Sequence, residues 1–373
     1  MKNNSQLRIH IVNVGHGDSI LVELPDLVEG VTRKPRFGLV DAGGSDKDVK
    51  NKTLEYLKAF LKYRIEDDDS EYCFEFICLS HPHKDHLFGM MPVLDYFCED
   101  GPGRYAPRQF WDCGFRYNTT EYLNILKFIV GHPEIQFVRV ASATEFHFGD
   151  VEVLVLAPSI DLRNRYDTYG VEPNDASIVL RVSFGKGVAI LTGDAQFDSW
   201  GKVVEEFPRK KHLTYPKIQE NNKYRPDMRD PTHADLVFLS QENQLDCDLL
   251  KVSHHGSKHG TSFEFVEKLG PRHFVISCDD DSWYSSHKSK GAWVGKFPHP
   301  ITRLVIGEQA DLYKASSPTI PSLDDAMYLK KVAVTAKHGT VIYSIASNGK
   351  IERFNLSEQR GQNLSPADLV QTL

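Results

Sequence analysis

The chain of 373 residues carries a formal net charge of −7, with 40% hydrophobic and 25% charged residues. This composition is typical of a globular protein and excludes a chain that is disordered throughout. The negative charge disfavours a protein that coats nucleic acid with its whole surface, because a polyanionic partner would have to bind a local basic patch.

The six cysteines form no C-x-x-C pair, and Cys78 lies in the apolar run Phe-Ile-Cys-Leu. They predict buried thiols in a reducing compartment rather than zinc-finger ligands. No apolar segment is long enough to span a bilayer, and no apolar signal region precedes the first predicted strand. We therefore expect a cytoplasmic protein with no membrane partner.

Short β-branched runs and turns dominate the start of the chain. Residues 7–12 and 19–24 predict paired strands around the turn Gly15-His-Gly-Asp18, and residues 37–40 predict a strand that ends at Asp41. Further along, the periodicity predicts helices over 48–63, 87–97 and 121–130, with a buried strand over 73–79.

The second half predicts strands over 151–156, 177–184, 188–191, 235–239, 248–252, 273–277, 304–306, 332–335 and 340–344, and a helix over 263–269. Polar segments near 208–231 and 279–300 are interpreted as insertions, and residues 355–373 as a polar tail. We expect a single domain over 1–354 of the layered α/β (α+β) class, with sheets inside and helices outside.

The strongest chemical signal is the motif His81-x-His83-x-Asp85-His86, directly after an apolar strand. Alternate side chains of a strand-end loop can converge on one point. Imidazole nitrogens and a carboxylate oxygen suit zinc, manganese or iron. A polar turn with chance histidines explains so tight a spacing less well.

Two later strands also end in residues that can bind a metal. Asp194 follows the strand that ends in Leu-Thr-Gly, and His254-His255-Gly256 follows the strand that ends at Val252. Each segment alone could be a structural turn. Three such strand ends in one chain make a shared metal site the better interpretation.

In this order, the motifs resemble the metallo-β-lactamase superfamily, and within it the ComEC-like branch typified by a competence DNA-uptake hydrolase domain. The resemblance covers roughly residues 7 to 344, apart from the polar insertions. The matching segments are Val14-Gly-His-Gly-Asp18, Leu39-Val-Asp41-Ala-Gly-Gly44, the 81–86 motif, Asn174-Asp-Ala-Ser177-Ile-Val-Leu, Leu191-Thr-Gly-Asp194 and Leu250-Lys-Val-Ser-His-His-Gly-Ser257.

The resemblance implies a four-layer αββα sandwich with one or two divalent metal ions, zinc or manganese, at one edge. By position, His81 and His83 would bind the first ion, and Asp194 would bridge the two. The second ion would be bound by Asp85, His86 and His255. His254 could replace His255 as the ligand or could face the substrate.

The chain departs from the superfamily pattern at two places. Many members have a further histidine where this chain has Asn174, so the first metal site would be weak, empty or suited to a harder ion. Near the C-terminus, His287 or His299 could reach the site and contact a phosphate or leaving group. A solvent-exposed loop histidine is an equally good interpretation of each.

Asp18 and Asp41 are expected to support the site rather than to react. Asp18 would cap a turn, and Asp41 would hold loop backbone N–H groups beneath the ligands. Asn174 and Ser177 could line the site or could belong to a strand-entry turn.

These motifs predict a metal-dependent hydrolase in which a bound ion lowers the pKa of water and supplies a hydroxide nucleophile. Asp85 would orient that hydroxide, and His254 or His299 would assist the leaving group. The resemblance favours a phosphodiesterase or nuclease acting on DNA, RNA or a nucleotide-like molecule.

Two other functions stay open. One is the hydrolysis of a lactone, thioester, amide or phosphocholine-type ester, since fold does not determine substrate. The other is a metal-binding component of a multi-protein defence or DNA-processing assembly, with a protein partner. Cations between Arg209 and Arg229 could follow a nucleic-acid backbone or could belong to a solvated loop.

Overall fold

The structure is a computed structural model. It describes residues 3–30, 32–43, 52–65, 71–100, 106–115, 117–169, 171–207, 245–279, 297–310 and 326–356. Most of the two polar segments and residues 357–373 lie outside the described residues, as do His287 and the cations from Arg209 to Arg229. The predicted strand over 235–239 lies outside them too.

The first sheet has eight strands in the order β15-β14-β1-β2-β3-β4-β5-β6. Its strands are β1 (Leu7–Ile11), β2 (Ser19–Glu29), β3 (Thr32–Ala42), β4 (Cys73–Leu79), β5 (Gln109–Asp112), β6 (Gln136–Arg139), β14 (Thr340–Ile345) and β15 (Ile351–Leu356). Strands β3 to β6 run parallel, and the other neighbours run antiparallel. All seven side chains of β4 are buried, as its near-continuous apolar sequence predicts for a central parallel strand.

The second sheet has seven strands in the order β13-β12-β11-β10-β9-β8-β7. Its strands are β7 (Glu145–Phe148), β8 (Val151–Ala157), β9 (Val179–Phe184), β10 (Gly187–Leu191), β11 (Leu249–Lys251), β12 (His273–Ile276) and β13 (Val332–Val334). Strands β10 to β13 run parallel, so their carboxyl ends meet at one edge of the sheet.

The helices are α1 (Lys52–Arg64), α2 (Lys84–Leu87), α3 (Met90–Asp95), α4 (Thr120–Gly131), α5 (Ile160–Tyr169), α6 (Phe197–Glu206), α7 (Phe263–Leu269), α8 (Pro300–Gln309), α9 (Ala326–Lys331) and α10 (Thr335–His338). A π-turn at Tyr96–Asp100 and 3-10 turns at Pro173–Ala176 and Ser253–Gly256 complete the described elements. None of the described helices is long and apolar enough to cross a membrane.

Three apolar clusters show how the layers stack. One joins the inner faces of the two sheets, with Ile9 from the first packed in the same cluster as Val155 from the second. Another packs the outer face of the first sheet against α1, α3 and α4. The third packs the second sheet against α6, α7 and α8. The expected four-layer αββα sandwich is therefore confirmed.

Two predicted elements differ from the structure. Residues 304–306, predicted as a strand, belong to helix α8, which begins after His299 with Pro300 in its first turn. A short apolar run fits a strand or a helix equally well, and the buried Thr302 and Ile306, four residues apart, follow the helical period. The helix predicted over 87–97 is interrupted at Gly89, whose N–H donates to the Ala42 carbonyl (2.6 Å).

Candidate metal centre

The residues that could bind a metal lie in loops that follow strands of both sheets. The 81–86 motif follows β4 of the first sheet. Asp194 follows β10, and the turn with His254 and His255 follows β11, both in the second sheet. Because the two sheets pack face to face, these loops meet at one edge of the sandwich.

Loop contact at this edge depends on one glycine. A Cβ on Gly43 would lie 1.6 Å from the carbonyl oxygen of Asp85, so no larger residue fits between the loop after β3 and the histidine motif. The Asp18 N–H donates to the same carbonyl oxygen (3.1 Å). The turn before β2 and the loop after β3 therefore hold the backbone of Asp85.

Four side chains, here called the second-site cluster, place one ligand atom each within 4.8 Å of one another: Asp85, His86, Asp194 and His255. His86 Nε2 lies 3.3 Å from Asp194 Oδ2. His255 Nε2 lies 3.4 Å from Asp85 Oδ2 and 3.6 Å from Asp194 Oδ1. Two imidazoles and two carboxylates thus surround one point.

Several polar atoms of this cluster have no hydrogen-bond partner in the described part of the chain. They are His86 Nε2, His255 Nε2 and Asp194 Oδ1, all of them buried. Burying such atoms without a partner is costly, by about 1–3 kcal/mol for each group. Nitrogen and oxygen donors that converge on one point fit a divalent metal ion, whose coordination would satisfy these atoms.

The other nitrogen of each of these imidazoles is held by a hydrogen bond. His86 Nδ1 donates to the carboxylate of Asp41 (2.7 Å), and His255 Nδ1 donates to the carbonyl oxygen of Ser277 (2.8 Å). The Asp41 carboxylate also accepts hydrogen bonds from the backbone N–H (2.7 Å) and hydroxyl (2.6 Å) of Ser80. These bonds leave both Nε2 atoms facing the cluster.

The expected first site contains a pair of histidines. His81 Nε2 lies 3.0 Å from His83 Nδ1 and 3.9 Å from Asp194 Oδ2. The side chain of Asn174 contacts His83 at the place where many superfamily members have a further histidine. Ser177 accepts a hydrogen bond from the Asp194 N–H through its hydroxyl oxygen (3.1 Å). Both residues thus lie beside the ligand candidates.

Three residues of the site adopt left-handed backbone conformations, which are strained for side chains other than glycine. They are Asp41 (φ 59°), His254 (φ 49°) and His255 (φ 52°). The two consecutive histidines bring both imidazoles to Asp194, with His254 Nε2 3.7 Å from its Oδ2. Of the two, only His255 also belongs to the second-site cluster.

Opposite charges control ionisation in the cluster. Burial opposes the charge on Asp194, but His255, His86 and His254 together hold its pKa well below the usual range. Burial likewise opposes a charged His86, whereas Asp194 and Asp41 raise its pKa well above 6.5. Burial, followed by the nearby His86, lowers the pKa of His81. A metal ion would therefore meet an ionised carboxylate and would displace a proton from His86.

A buried ion pair lies beneath the cluster. The ammonium group of Lys251 contacts the Asp18 carboxylate and donates a hydrogen bond to the Gly193 carbonyl (3.0 Å). Asp18 Oδ1 lies 3.6 Å from His255 Nδ1. Asp18 therefore interacts with a ligand candidate as well as with the turn. The sequence patterns did not single out Lys251, although it lies three residues before His254 in a matched segment.

Two further residues that the sequence patterns did not reveal lie against the cluster. His16 Nε2 is 3.8 Å from Asp85 Oδ2, and its ring centroid is 4.5 Å from that of His255. Burial, and then the neighbouring His255, lowers the pKa of His16 to about 3, so its imidazole is neutral near pH 7. The ring of Phe297 lies 5.0 Å from His16 and 5.8 Å from His254.

Sequence signals for these residues differ. His16 lies within a matched motif, between two glycines of a turn. A structural role of the turn alone would explain this motif. Phe297 lies in a polar segment without any pattern. His299, the loop histidine considered for catalysis, caps helix α8 by accepting a hydrogen bond from the Ile301 N–H (3.1 Å). The charges of Lys258, Arg303 and His259 act on its ring.

The layers and the cluster together define an αββα protein with a candidate metal centre at the edge of its sheets, which is the arrangement that the metallo-β-lactamase resemblance implies. Comparison with known proteins adds only distant similarities. No protein-family model matches the chain. No curated protein matches it either.

Several solved structures resemble the chain. The metallo-beta-lactamase fold protein YhfI from Bacillus subtilis is 12% identical, with a TM-score of 0.36 over 73% of this chain and 85% of that chain. A long form RNase Z from yeast is 14% identical, with a TM-score of 0.38 over 74% of this chain and 38% of that chain. CmlA, a diiron beta-hydroxylase from Streptomyces venezuelae, is 12% identical, with a TM-score of 0.38 over 84% of this chain and 52% of that chain. The chain thus spans about half of CmlA, and none of these proteins transfers a substrate or a residue role to it.

Proposed function

We propose that the chain is a metal-dependent hydrolase that cleaves phosphodiester bonds in a nucleic acid or a nucleotide-like molecule. The observation that carries the proposal is the second-site cluster, whose four ligand atoms lie within 4.8 Å of one another. Three buried atoms of this cluster have no hydrogen-bond partner among the described residues, which favours a metal centre over a purely structural network.

The second-site cluster would hold one divalent ion, and His81, His83 and Asp194 would hold another. When bound, an ion such as zinc or manganese polarises the oxygen of the scissile bond and lowers the pKa of water at the site. Asp41 and Ser277 keep the imidazoles of His86 and His255 in the orientation that this binding requires.

The remaining groups would act on the substrate and the attacking water. Asp85 is partly exposed, so its carboxylate can accept a hydrogen bond from the water and orient it. His254 is partly exposed beside Asp194, and burial lowers its pKa, so its neutral imidazole would donate a hydrogen bond to the leaving oxygen. His16, beside Asp85, and Phe297, beside His254, would limit access of bulk water to the site.

The preference for a phosphodiester rests on the resemblance of the sequence motifs to those of the ComEC-like branch. The non-bridging oxygens of a phosphodiester carry negative charge, which suits two metal ions flanked by imidazole N–H groups. A lactone, thioester or other carboxylic ester could be hydrolysed at the same metal centre, so such substrates are tested alongside the phosphodiester. A role inside a multi-protein assembly would show as an isolated protein that binds metal but does not hydrolyse these substrates.

The test is hydrolysis of bis(p-nitrophenyl) phosphate and of linear single- and double-stranded DNA, with zinc or manganese added back after chelation. We expect metal-dependent cleavage by the wild type and a loss of at least about a hundredfold in Asp85→Ala and His255→Ala. The matched control is His147→Ala, an exposed histidine on the edge strand β7. A folded, metal-loaded wild type that cleaves esters but no phosphodiester would overturn the proposal.

A further inference from the structure

A group of basic side chains lies next to the turn that carries His255. We call it the basic surface, and it consists of Lys258, His259, His299 and Arg303. The backbone ties it to the site, because the His299 N–H donates to the Gly256 carbonyl (2.8 Å). The Thr302 hydroxyl likewise donates to the Ser257 carbonyl (3.1 Å).

Two members of this surface, Lys258 and Arg303, lack acidic partners within the part of the chain that the structure describes. Neither Lys258 nor Arg303 forms an ion pair there, and the buried Nε of Arg303 has no hydrogen-bond partner there. Other cations do form such pairs: Lys350 with Glu352 (2.7 Å) and Arg272 with Asp248 (2.6 Å). In a chain with a net charge of −7, a basic surface that has no acidic partner among the described residues favours an anionic ligand.

Exposed apolar side chains border the basic surface. Phe197 is 48% exposed, and its ring centroid lies 6.2 Å from that of His259. Phe263 and Ile301, which are 36% and 52% exposed, lie at the starts of helices α7 and α8, which pack against each other. Cations interleaved with exposed aromatic rings are typical of surfaces that bind single-stranded nucleic acid, where phosphates meet the charges and bases stack on the rings.

We propose that the basic surface binds a single-stranded nucleic acid and leads it to the metal centre. Lys258 and Arg303 would contact phosphates next to the scissile one, and Phe197 would stack on a base. Lys258 is three residues from His255, so their Cα atoms lie at most roughly 11 Å apart. This distance suits a neighbouring phosphate of the same strand. The inference rests on the proposed function and names its substrate class.

The test measures binding separately from hydrolysis. A fluorescein-labelled, phosphorothioate-linked thymidine 12-mer is titrated with metal-loaded protein, and its fluorescence anisotropy is followed at several salt concentrations. We expect Lys258→Ala/Arg303→Ala to reduce the slope of log affinity against log salt by about 1.4, which corresponds to two phosphate contacts on a single strand. Phe197→Ala should weaken binding by about fivefold or more.

The matched control is Arg33→Ala/Lys186→Ala, since both residues are exposed at the opposite edge of the sheets. Inorganic polyphosphate, which has no bases, should lose affinity in the Lys258→Ala/Arg303→Ala protein and keep it in Phe197→Ala. Equal affinities of wild type and both variants for the 12-mer would overturn the proposal. The proposal would also be overturned if the control variant lost as much affinity for the 12-mer as Lys258→Ala/Arg303→Ala does. The same holds if a DNA duplex binds the protein as tightly as the single strand.

The two proposals can fail separately. A wild type that binds the 12-mer but leaves bis(p-nitrophenyl) phosphate intact would contradict the hydrolase and not the basic surface. If the wild type hydrolyses bis(p-nitrophenyl) phosphate but Lys258→Ala/Arg303→Ala and Phe197→Ala bind the 12-mer like wild type, only the proposal about the basic surface is contradicted.

Discussion

The ammonium group of Lys251 forms an ion pair with the carboxylate of Asp18, and both side chains are fully buried beneath the candidate metal centre. Asp18 precedes β2 of the first sheet, whereas Lys251 ends β11 of the second. The pair therefore joins the two sheets at the edge where the ligand candidates meet. It also places a negative charge 3.6 Å from Nδ1 of His255.

Removing one partner of this pair should destabilise the fold. We expect Lys251→Met to lower the free energy of unfolding by about 3–5 kcal/mol, because it leaves the Asp18 carboxylate buried without its cation. Urea denaturation monitored by circular dichroism measures this change. Adding Asp18→Asn to Lys251→Met should recover part of the loss. The exposed Lys186→Met serves as the control, and an equal effect of the two lysine variants would contradict the prediction.

Replacing Asn174 should complete the first metal site. An amide is a poorer ligand for zinc than an imidazole, and Asn174 contacts His83 where a third histidine is expected. After dialysis against metal-free buffer, we expect about one zinc ion per wild-type chain and about two per Asn174→His chain, counted by mass spectrometry of the metal. Asn174→Ala is the control for loss of the amide. Two tightly held ions in the wild type would show that the first site needs no further imidazole.

Metal addition should raise the melting temperature. The second-site cluster is assembled only in the folded state, so an ion bound there would stabilise that state by about 2.7 kcal/mol at a hundredfold excess over Kd. Differential scanning calorimetry with and without zinc should show an increase of several degrees in the wild type. In Asp194→Asn this increase should be lost, while the exposed Asp198→Asn on α6 keeps it. An unchanged increase in Asp194→Asn would remove Asp194 from the ligand set.

Acid sensitivity should come partly from a buried network far from the metal centre. Burial opposes the charge on Glu23, but the hydrogen bond with His10 and the charges of Arg8 and Arg64 lower its pKa to about 2. The stabilisation from this depressed pKa is fully present above pH 4.5 and is lost as the pH falls towards 2. It corresponds to roughly 3 kcal/mol.

Glu23→Gln tests this linkage. The free energy of unfolding should differ most between wild type and variant at about pH 6, and the difference should shrink steadily towards about pH 3. Urea denaturation at several pH values measures it. The exposed Glu145→Gln on β7 should leave the wild-type pH dependence unchanged. If the difference in the free energy of unfolding between Glu23→Gln and wild type stays constant with pH, Glu23 has a role that does not depend on its charge.

The layers and the main ligand candidates could be predicted from the sequence for a physical reason. Strand periodicity and the positions of strand ends are local properties, and they are enough to mark His81, Asp194 and His255 as ligand candidates. The contacts of His16, Phe297 and Lys251 depend on how two distant sheets pack, which no local pattern encodes. The same limit explains residues 304–306, whose apolar run fits a strand until the cap at His299 and the following proline start a helix.

The pairing of β1 with β14 has a consequence for synthesis of the protein on the ribosome. Strand β1 pairs with β2, which follows it directly, but its other neighbour is β14, where Ile345 pairs with Leu7, and this edge of β1 stays unpaired until β14 has emerged. Contacts this distant in sequence form slowly. During translation, the sheet that bears the histidine motif therefore has one inner strand with an unpaired edge. A nascent chain released before β14 is made would expose this aggregation-prone edge.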